Sequence, residues 1–376
     1  MASAGDLGKT LSFNLRHVDA PKAGHYLTVV QGVTIRRAVP ITAEPVVLGR
    51  DPGGPLHLPD ADVSRIHCSV RLAGGDVLVR DLGSTNGTFI DGIRVVEERL
   101  LPVSSLLQVG RHALKHELLR PDEVLRHEQF AEELEHARSY VKAMLPEPLA
   151  DGPLRTQWCF VPSSVLGGDA LGYHALGEGR FALYVLDVCG HGVASAMHSA
   201  SVLNALRKQT LPETDFAEPS RVLGRLNEAF RMEDHGGMYF TIFYGVLDLR
   251  TRVLRYASAG HPPAIVLGAE GTVRTRLTTK NPPIGTVDRR VFAQAEDPLP
   301  HGDRLFVFSD GAYETLDGHG LDRGLEDFER ELLAVVATGT AGSPARLYEA
   351  TCAAARSDLL PDDFTLLLVE HPPEAR

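Results

Sequence analysis

A helical stretch without glycine divides the sequence into two parts with different residue patterns. Residues 121–148, PDEVLRHEQFAEELEHARSYVKAMLPEP, are rich in Glu, Leu, Ala and Arg, with Pro121 in the first turn and Pro146 and Pro148 at the end. This pattern predicts a helix of about six turns. Because the patterns on its two sides differ, we expect a multidomain chain with a helical linker.

The part before the linker consists of short runs typical of β-strands. From about Tyr26 to Leu118, Gly, Pro, Asp and Asn turns separate the runs HYLTVV, PVVLGR, HCSVRL, DVLVRD, TFIDG and SLLQVG. The AGG at 73–75 predicts a tight turn between two of them, since glycine adopts the positive φ that such turns require. Short strands at this spacing predict an all-β sandwich.

Strands and helices are mixed in the part after the linker, from about Leu154. The predicted strands are FALYVLDV, MYFTIFYGVLDL, VLRYASAG, RLFVFSD and DFTLLLVE, and the second and third form a hairpin across RTR. The predicted amphipathic helices are GVASAMHSASVLNALRKQ, PSRVLGRLNEAFRM, LEDFERELLAVVA and PARLYEATCAAA. This part is therefore expected to be a second domain, of α/β type.

The composition argues against several classes of partner. The net charge of the 376 residues is -11 and no run of basic residues is present, so we expect no nucleic-acid partner. No stretch approaches the roughly 20 apolar residues of a membrane span, and the N-terminus lacks the apolar core of a signal peptide. The 4 cysteines are far apart, which is typical of neither a disulfide framework nor a zinc site. We expect a soluble protein in the reducing cytoplasm.

Acidic residues recur at the ends of apolar runs in the second part. Asp187 ends FALYVLD, Asp310 ends RLFVFSD, Asp362 and Asp363 precede FTLLLVE, and Asp169 follows the two glycines of LGGD. If these strands are neighbours, the carboxylates meet at one sheet edge, which costs several kcal/mol unless cations neutralise them. All-oxygen ligation favours magnesium or manganese over zinc. The sequence therefore predicts a divalent-metal cluster.

Six motifs in this part occur in an order that resembles a known family. LGGD, LDVCGHGVASAM, YASAGHPPAIVL, PPIG, DRLFVFSDGAYE and DDFTLLLV resemble the metal-dependent phosphatases of the protein phosphatase 2C-like superfamily, in the branch of stage II sporulation protein E, over residues 154–370. The resemblance implies two stacked antiparallel sheets flanked by helices, with two Mn²⁺ or Mg²⁺ ions between the sheet edges. The metal-binding positions it implies are Asp169, Asp187, the backbone carbonyl of Val188, Asp310 and either Asp362 or Asp363. The implied catalytic positions are Asp169, Asp187, Asp310 and Asp362.

The implied activity is hydrolysis of phosphoserine or phosphothreonine proteins without a covalent phosphoenzyme. Two such ions lower the pKa of a water between them and neutralise charge on the phosphoryl oxygens. By analogy with the branch, the substrate is a phosphorylated anti-sigma-factor antagonist or a similar small protein of a bacterial partner-switching pathway.

Two departures from the family pattern leave an alternative open. The sequence GGDALG has Gly172 where many members have a second aspartate, and no arginine is assigned to the substrate phosphate. The alternative is a phosphopeptide-binding scaffold with an inactive phosphatase-like half. Beside the predicted site, Cys189 is expected to be a small filler, and His191 either shapes the GHG turn or assists as an acid.

A second set of spaced motifs lies in the predicted sandwich, namely LGR at 48–50, SRIHC at 64–68 and STNG at 84–87. Singly, these residues are typical of surface charges and ordinary turns. Together they offer a guanidinium fork, a hydroxyl and an amide, which suit a phosphate on an extended peptide. The pattern GR…SRxHC…STNGT closely resembles the forkhead-associated (FHA) domain over residues 26–118.

This second resemblance implies binding of phosphothreonine peptides. The phosphopeptide-binding positions it implies are Arg50, Ser64, Arg65, Thr85 and Asn86. Arg50 and Ser64 would hold the phosphate with help from Arg65. Thr85 and Asn86 would hold the peptide backbone. Gly49 and His67 are expected to fix the loop conformation.

These predictions divide the chain into a tail at 1–23, an FHA domain at 24–119, a helical linker at 120–148 and a phosphatase domain at 149–372. The linker carries a 3-4 spacing typical of a weak coiled-coil seam, at His127, Phe130, Leu134, Ala137, Val141 and Met144. Two roles stay open for it. It is either a connector packed on one domain, or a helix that forms a homodimer or passes a signal.

Overall fold

The structure is a computed structural model of the 376-residue chain. It describes residues 22–31, 38–51, 56–58, 62–110, 112–190, 192–288, 291–317, 321–339, 343–356 and 360–372. His191 and nearly all of the predicted N-terminal tail lie outside these residues.

The described N-terminal strands form two sheets that share one core. They are β1 (Gly24–Gln31), β2 (Ala38–Pro40), β3 (Val46–Gly49), β4 (Leu56–His57), β5 (Cys68–Ala73), β6 (Asp76–Asp81), β7 (Thr88–Ile90), β8 (Ile93–Arg94), β9 (Arg99–Leu100), β10 (Leu106–Val109) and β11 (His112–Leu119). The sheet orders are β2-β1-β11-β10-β7-β8 and β4-β3-β5-β6-β9. Leu27 and Leu114 of the first sheet pack in one apolar cluster with Leu48 and Val70 of the second. The predicted β-sandwich is confirmed.

The predicted AGG turn joins β5 and β6. Ala73 pairs with Asp76, and Gly74 and Gly75 have φ values of 64° and 95°. These positive values explain why glycine occupies both turn positions.

The linker helix α1 (Pro121–Met144) ends four residues before the predicted end. Leu145 is already extended, because the residue before a proline disfavours helical backbone. The segment that follows is tied to the C-terminal domain: the backbone carbonyl of Pro146 accepts a hydrogen bond from the Trp158 indole at 2.9 Å, and that of Glu147 accepts one from the Tyr173 hydroxyl at 2.7 Å. Of the predicted seam, Met144 is buried and Phe130 is 48% exposed.

The C-terminal domain has two more sheets of five strands each among the described residues. The strands are β12 (Arg155–Val161), β13 (Ala170–Gly177), β14 (Arg180–Val188), β15 (Phe240–Asp248), β16 (Val253–Ala259), β17 (Ala264–Leu267), β18 (Val273–Leu277), β19 (Ala295–Pro298), β20 (Arg304–Phe308) and β21 (Phe364–Glu370). The first sheet has the order β13-β14-β15-β16-β19, and the second β12-β21-β20-β17-β18. Both are antiparallel throughout. The predicted hairpin is confirmed, with Asp248 opposite Val253.

Helices cover the outer faces of these two sheets. They are α2 (Val193–Arg207), α3 (Pro219–Ala229), α4 (Leu325–Ala337) and α5 (Pro344–Ala355). Helix α2 contacts β13, and α3 contacts β16. Helices α4 and α5 enclose an apolar cluster with the second sheet. A separate core fills the space between the sheets, where Leu186 and Val369 lie in one cluster. The predicted α/β phosphatase architecture is confirmed. No helix among the described residues is long and apolar enough to cross a membrane.

Candidate functional site

The predicted acidic residues lie where strand ends of the two C-terminal sheets meet. Asp187 is the penultimate residue of β14, and Asp169 directly precedes β13. Asp310 opens a short 3₁₀ turn just after β20, and Asp362 and Asp363 directly precede β21. Since β14 contacts both β20 and β21, the fold brings residues from distant parts of the chain to one edge.

The carboxylates at this edge repel one another in a largely dry environment. Burial, then Asp187 and Asp363, raise the pKa of Asp169, which is only 1% exposed, well above its ordinary value. Burial, then Asp310 and Asp362, raise the pKa of Asp187 to about 7. Burial, then Asp362 and Glu314, raise the pKa of Asp310 to about 6. These shifts indicate a cluster of negative charge that protons or cations must compensate.

Asp363 differs from its neighbours because its carboxylate is saturated with hydrogen bonds. One oxygen accepts bonds from the amide and hydroxyl of Ser163, at 2.7 and 2.9 Å. The other accepts bonds from the amides of Gly168 and Asp169, at 2.6 and 3.3 Å. The buried side chain thus fixes the loop that carries Asp169. Asp362, beside it, is exposed.

The glycines of LGGD permit this close packing. A β-carbon at Gly167 would lie 2.4 Å from a carboxylate oxygen of Asp363. One at Gly168 would lie 2.7 Å from the carbonyl oxygen of Val188, the predicted backbone ligand. Any larger residue would therefore push the loop away from the acidic edge.

The donor set at this edge fits divalent cations. One oxygen of Asp169, Oδ2, is buried without a hydrogen-bond partner among the described residues, which is costly unless something else binds it. Within the described part of the chain, no three His, Cys, Asp or Glu side chains converge closely enough to enclose a metal alone. Ions here would need water and backbone oxygens as further ligands, as Mg²⁺ usually does. The groups that would hold such ions are Asp169, Asp187, Asp310, Asp362 and the Val188 carbonyl.

Gly172, the departure from the family pattern, has a steric explanation. It lies opposite Tyr184 in the pairing of β13 with β14. A β-carbon there would lie 2.5 Å from three atoms of the Tyr184 side chain, which is buried. The Tyr184 ring therefore takes the space that an acidic side chain would need.

The site also contains residues that sequence reasoning missed. Thr241 lies opposite Asp187 in the pairing of β14 with β15, and its hydroxyl shares a 2.7 Å hydrogen bond with Nδ1 of His261. Burial lowers the pKa of His261 to about 3, so its imidazole is neutral. The only sequence signal was the AGHPP motif, which contains His261 but does not show that it supports Thr241. Cys189, the expected filler, accepts a hydrogen bond at Sγ from the Tyr239 amide at 3.3 Å.

The FHA motifs come together at one end of the sandwich. The Ser64 hydroxyl accepts a hydrogen bond from the Thr85 amide at 3.1 Å, and the Ser64 carbonyl accepts one from the Arg50 amide at 3.0 Å. The Asn86 amide group donates to the carbonyl of Asp62 at 2.9 Å. Arg50 and Arg65 are exposed there. All the predicted phosphopeptide-binding positions thus lie on adjoining loops, which we call the apex.

Asp81 organises the STNG loop of the apex. Burial alone would raise its pKa, but hydrogen bonds from Ser84, Thr88 and the amides of Ser84 and Gly83 lower the pKa of Asp81 to about 2. Oδ2 of Asp81 accepts hydrogen bonds of 2.6 Å from the hydroxyls of both Ser84 and Thr88, and Oδ1 accepts bonds of 2.9 Å from the amides of Gly83 and Ser84. The carboxylate therefore serves the loop and is not available to a ligand.

The expected architectural residues also have clear contacts. His67 is completely buried, with Nδ1 accepting from the Ser64 amide at 3.1 Å and Nε2 3.1 Å from the Gly87 carbonyl. A β-carbon at Gly49 would lie 2.2 Å from the carbonyl oxygen of Arg65. These contacts support a role of Gly49 and His67 in fixing the loops.

Two family models match the chain. The model of stage II sporulation protein E (SpoIIE) matches residues 177–372, more than half of the chain. The chain belongs to the SpoIIE family. An FHA domain model matches residues 46–110. The SpoIIE match begins after Asp169 and Gly172, so the position of Asp169 in the site rests on the structure.

Individual proteins resemble each of the two matched parts. The chain is 30% identical over 183 residues to the phosphoserine phosphatase RsbP of Bacillus subtilis, a match that covers 48% of this chain and 45% of RsbP. It is 32% identical over 99 residues to the FHA domain-containing protein FhaB of Mycobacterium tuberculosis, covering 26% of this chain and 62% of FhaB. The matches thus cover less than two thirds of either relative.

A solved structure supports the fold of the SpoIIE-family part. The PP2C domain of SiaA from Pseudomonas aeruginosa superposes with a TM-score of 0.56 at 20% identity, covering 65% of this chain and 98% of that domain. This similarity shows the fold of a PP2C-type phosphatase.

An acidic residue introduced at position 172, as in many family members, is expected to destabilise the domain. Gly172→Asp should lower the free energy of unfolding by about 3 kcal/mol or more, since the side chain overpacks Tyr184 and buries a charge. Trp158, the single tryptophan of the chain, allows this to be measured by fluorescence during urea unfolding. In a Tyr184→Ala background the loss should shrink. A Gly172→Asp variant as stable as the wild type would contradict this explanation.

The carboxylate cluster predicts an unusual pH dependence of stability without metal. A carboxyl group whose pKa is raised by folding stabilises the fold below its unfolded pKa, and this contribution is lost as the pH rises through its folded value. With a chelator present, the C-terminal domain should therefore be more stable at pH 5.5 than at pH 8, on the order of 2 kcal/mol.

Divalent cations and Asp187→Asn provide the controls for this experiment. Mg²⁺ or Mn²⁺ should restore stability at pH 8, because a cation replaces the protons. Asp187→Asn should flatten the metal-free pH dependence and weaken the cation effect. The same pH dependence in Asp187→Asn and the wild type would rule out Asp187 as a source of the effect.

Proposed function

We propose that this chain is a metal-dependent protein serine/threonine phosphatase with an FHA domain that binds phosphothreonine peptides. The observation that carries the proposal is the acidic edge, where the buried Asp169 lies beside the half-buried Asp187 and Asp310 and all three have raised pKa values. A purely structural domain would gain nothing from such repulsion. The proposal keeps the predicted boundaries, with the FHA domain at 24–119, the linker at 120–148 and the phosphatase domain at 149–372.

The proposed roles follow from the contacts of each residue. Two divalent cations held at the acidic edge would supply an activated water and neutralise charge on the phosphoryl group. The residues that would hold these cations are Asp169, Asp187, Asp310, Asp362 and the backbone carbonyl of Val188. Asp363, with four hydrogen bonds from residues 163–169, positions the loop and is not itself a ligand.

The proposed substrate is a phosphoserine or phosphothreonine protein. The name of RsbP, a phosphoserine phosphatase, supports this class. We further propose a role in bacterial partner-switching signalling, with an anti-sigma-factor antagonist as the substrate. The FHA domain would bring the enzyme to a phosphothreonine-containing partner, with Arg50 and Ser64 on the phosphate and Thr85 and Asn86 on the peptide backbone.

We propose that α1 couples the two domains. The Arg207 guanidinium, at the end of α2, donates a 3.1 Å hydrogen bond to the carbonyl of Met144, the last residue of α1. The other end of α2 follows Asp187 and Val188 by a few residues. A shift of α1, or its pairing with a second copy in a homodimer, would therefore reach the acidic edge through α2.

The first test of the proposal is Asp187→Asn. With Mn²⁺ present, hydrolysis of an aryl phosphate and of a phosphoserine protein should fall by at least about 100-fold, because the variant loses a negative ligand. Phosphate release measures this, and Asp151→Asn, a change at an exposed acid elsewhere in the domain, is the matched control. Equal activity of Asp187→Asn and the wild type would show that the residue is misassigned. A wild type that releases no phosphate and takes up no Mn²⁺ by calorimetry would favour the scaffold alternative.

The second test separates the two domains. Arg50→Ala should cost about 2 to 4 kcal/mol of affinity for a phosphothreonine peptide, as for the loss of a charge-assisted contact. Fluorescence anisotropy measures the affinity, and Arg99→Ala removes an exposed charge elsewhere in the sandwich as the control. Hydrolysis of an aryl phosphate should not change in either variant. A large drop in hydrolysis in Arg50→Ala would refute the division of roles.

A further inference from the structure

Gly87 lies in the STNG loop of the apex, where two hydrogen bonds hold its backbone. Its amide donates to the Ser84 hydroxyl at 3.0 Å, and its carbonyl oxygen lies 3.1 Å from Nε2 of the buried His67. The φ value of Gly87 is 88°, in the left-handed region. The residue directly before it is Asn86, a proposed contact of the peptide backbone. A group that lies against Gly87 is thus close to the proposed path of the peptide.

The side chain of Arg94 lies against Gly87. A β-carbon at Gly87 would be 2.9 Å from Nε of Arg94, 3.1 Å from Cζ and 3.2 Å from Nη2. The guanidinium therefore covers the side of Gly87 that a side chain would occupy in any other residue. Arg94 is the last residue of β8 and lies opposite Phe89 in β7, so its backbone is fixed by the sheet.

The charge of Arg94 is exposed and is not neutralised by any acidic side chain of the described residues within ion-pair distance. By contrast, Arg71 in the same domain pairs with Glu98 at 2.8 Å. Asp81, the acid of the STNG loop, is occupied by the hydroxyls of Ser84 and Thr88. A rigidly supported cation without an internal partner suits an anionic group on a ligand.

We propose that Arg94 is a specificity residue of the apex, which binds a carboxylate side chain near the phosphothreonine of the bound peptide. This inference rests on the proposed FHA function. Arg50, Ser64 and Arg65 account for the phosphate, and Thr85 and Asn86 for the backbone. Residues of an extended peptide follow one another at roughly 3.3 Å. A side chain that flanks the phosphothreonine therefore comes within reach of the Arg94 guanidinium, which lies against Gly87, the residue after Asn86.

The test uses the full-length chain and a set of phosphothreonine peptides. One peptide has only alanine and glycine around the phosphothreonine, and each of the others has one aspartate at one of the three positions on either side. Affinities are measured by fluorescence anisotropy for the wild type, Arg94→Gln and Arg99→Gln. Arg99→Gln removes the same charge from the exposed strand β9 of the other sheet.

In the wild type, aspartate at one of the positions should strengthen binding by about three- to tenfold, as expected for a partly exposed charge-assisted contact. Arg94→Gln should abolish this gain and weaken the peptide without aspartate far less than the aspartate peptide, while Arg99→Gln should keep the gain. The gain should also decrease with added salt in the wild type.

Three outcomes would overturn the inference. The wild type could prefer no aspartate position, Arg94→Gln could keep the preference, or Arg94→Gln could weaken all peptides equally, which would mean that Arg94 only supports the turn. Failure of the proposed FHA function looks different, because then the wild type would bind none of the phosphothreonine peptides.

Discussion

Repulsion among desolvated carboxylates is the interaction on which the C-terminal domain depends. Folding brings Asp169, Asp187 and Asp310 together at the meeting edge of two sheets, where burial strengthens every charge interaction. The domain tolerates this because Asp363 ties the LGGD loop in place with four hydrogen bonds. Cation binding at this edge would therefore be linked to folding stability through the same residues.

The two halves of the chain use the same side chain in opposite ways. In the FHA domain, Asp81 accepts hydroxyl bonds on one oxygen and amide bonds on the other, which lower its pKa to about 2, and it holds a loop together. In the phosphatase domain, Oδ2 of Asp169 is buried with no partner among the described residues, and burial together with nearby acids raises its pKa. A saturated carboxylate is structural, whereas an unpaired buried one is available to bind a cation.

Much of the fold could be predicted because the signals are local. The bounds of α4 and α5 coincide with the amphipathic runs read from the sequence, and Asp310 and Asp362 could be placed at strand ends from the apolar runs beside them. By contrast, β13 was missed, because ALGYHALG contains two glycines and no regular alternation.

The finer details of the site depend on contacts between distant residues. Asp362 and Asp363 are equivalent in the sequence, and only the bonds of Asp363 to Ser163 and Gly168, about 200 residues away, distinguish their roles. Gly172 suggested a lost ligand, whereas the cross-strand position of Tyr184 shows that the space is already filled. Neither fact has a signal in local spacing.

The central claim is that the acidic edge binds divalent cations through particular aspartates. Anomalous diffraction from crystals grown with Mn²⁺ tests it most directly. The account predicts manganese peaks bounded by Asp169, Asp187, Asp310, Asp362 and the Val188 carbonyl, with the carboxylate of Asp363 still bonded to the LGGD loop. No peak at this edge under saturating Mn²⁺, or a peak coordinated by Asp363 in place of Asp362, would contradict it.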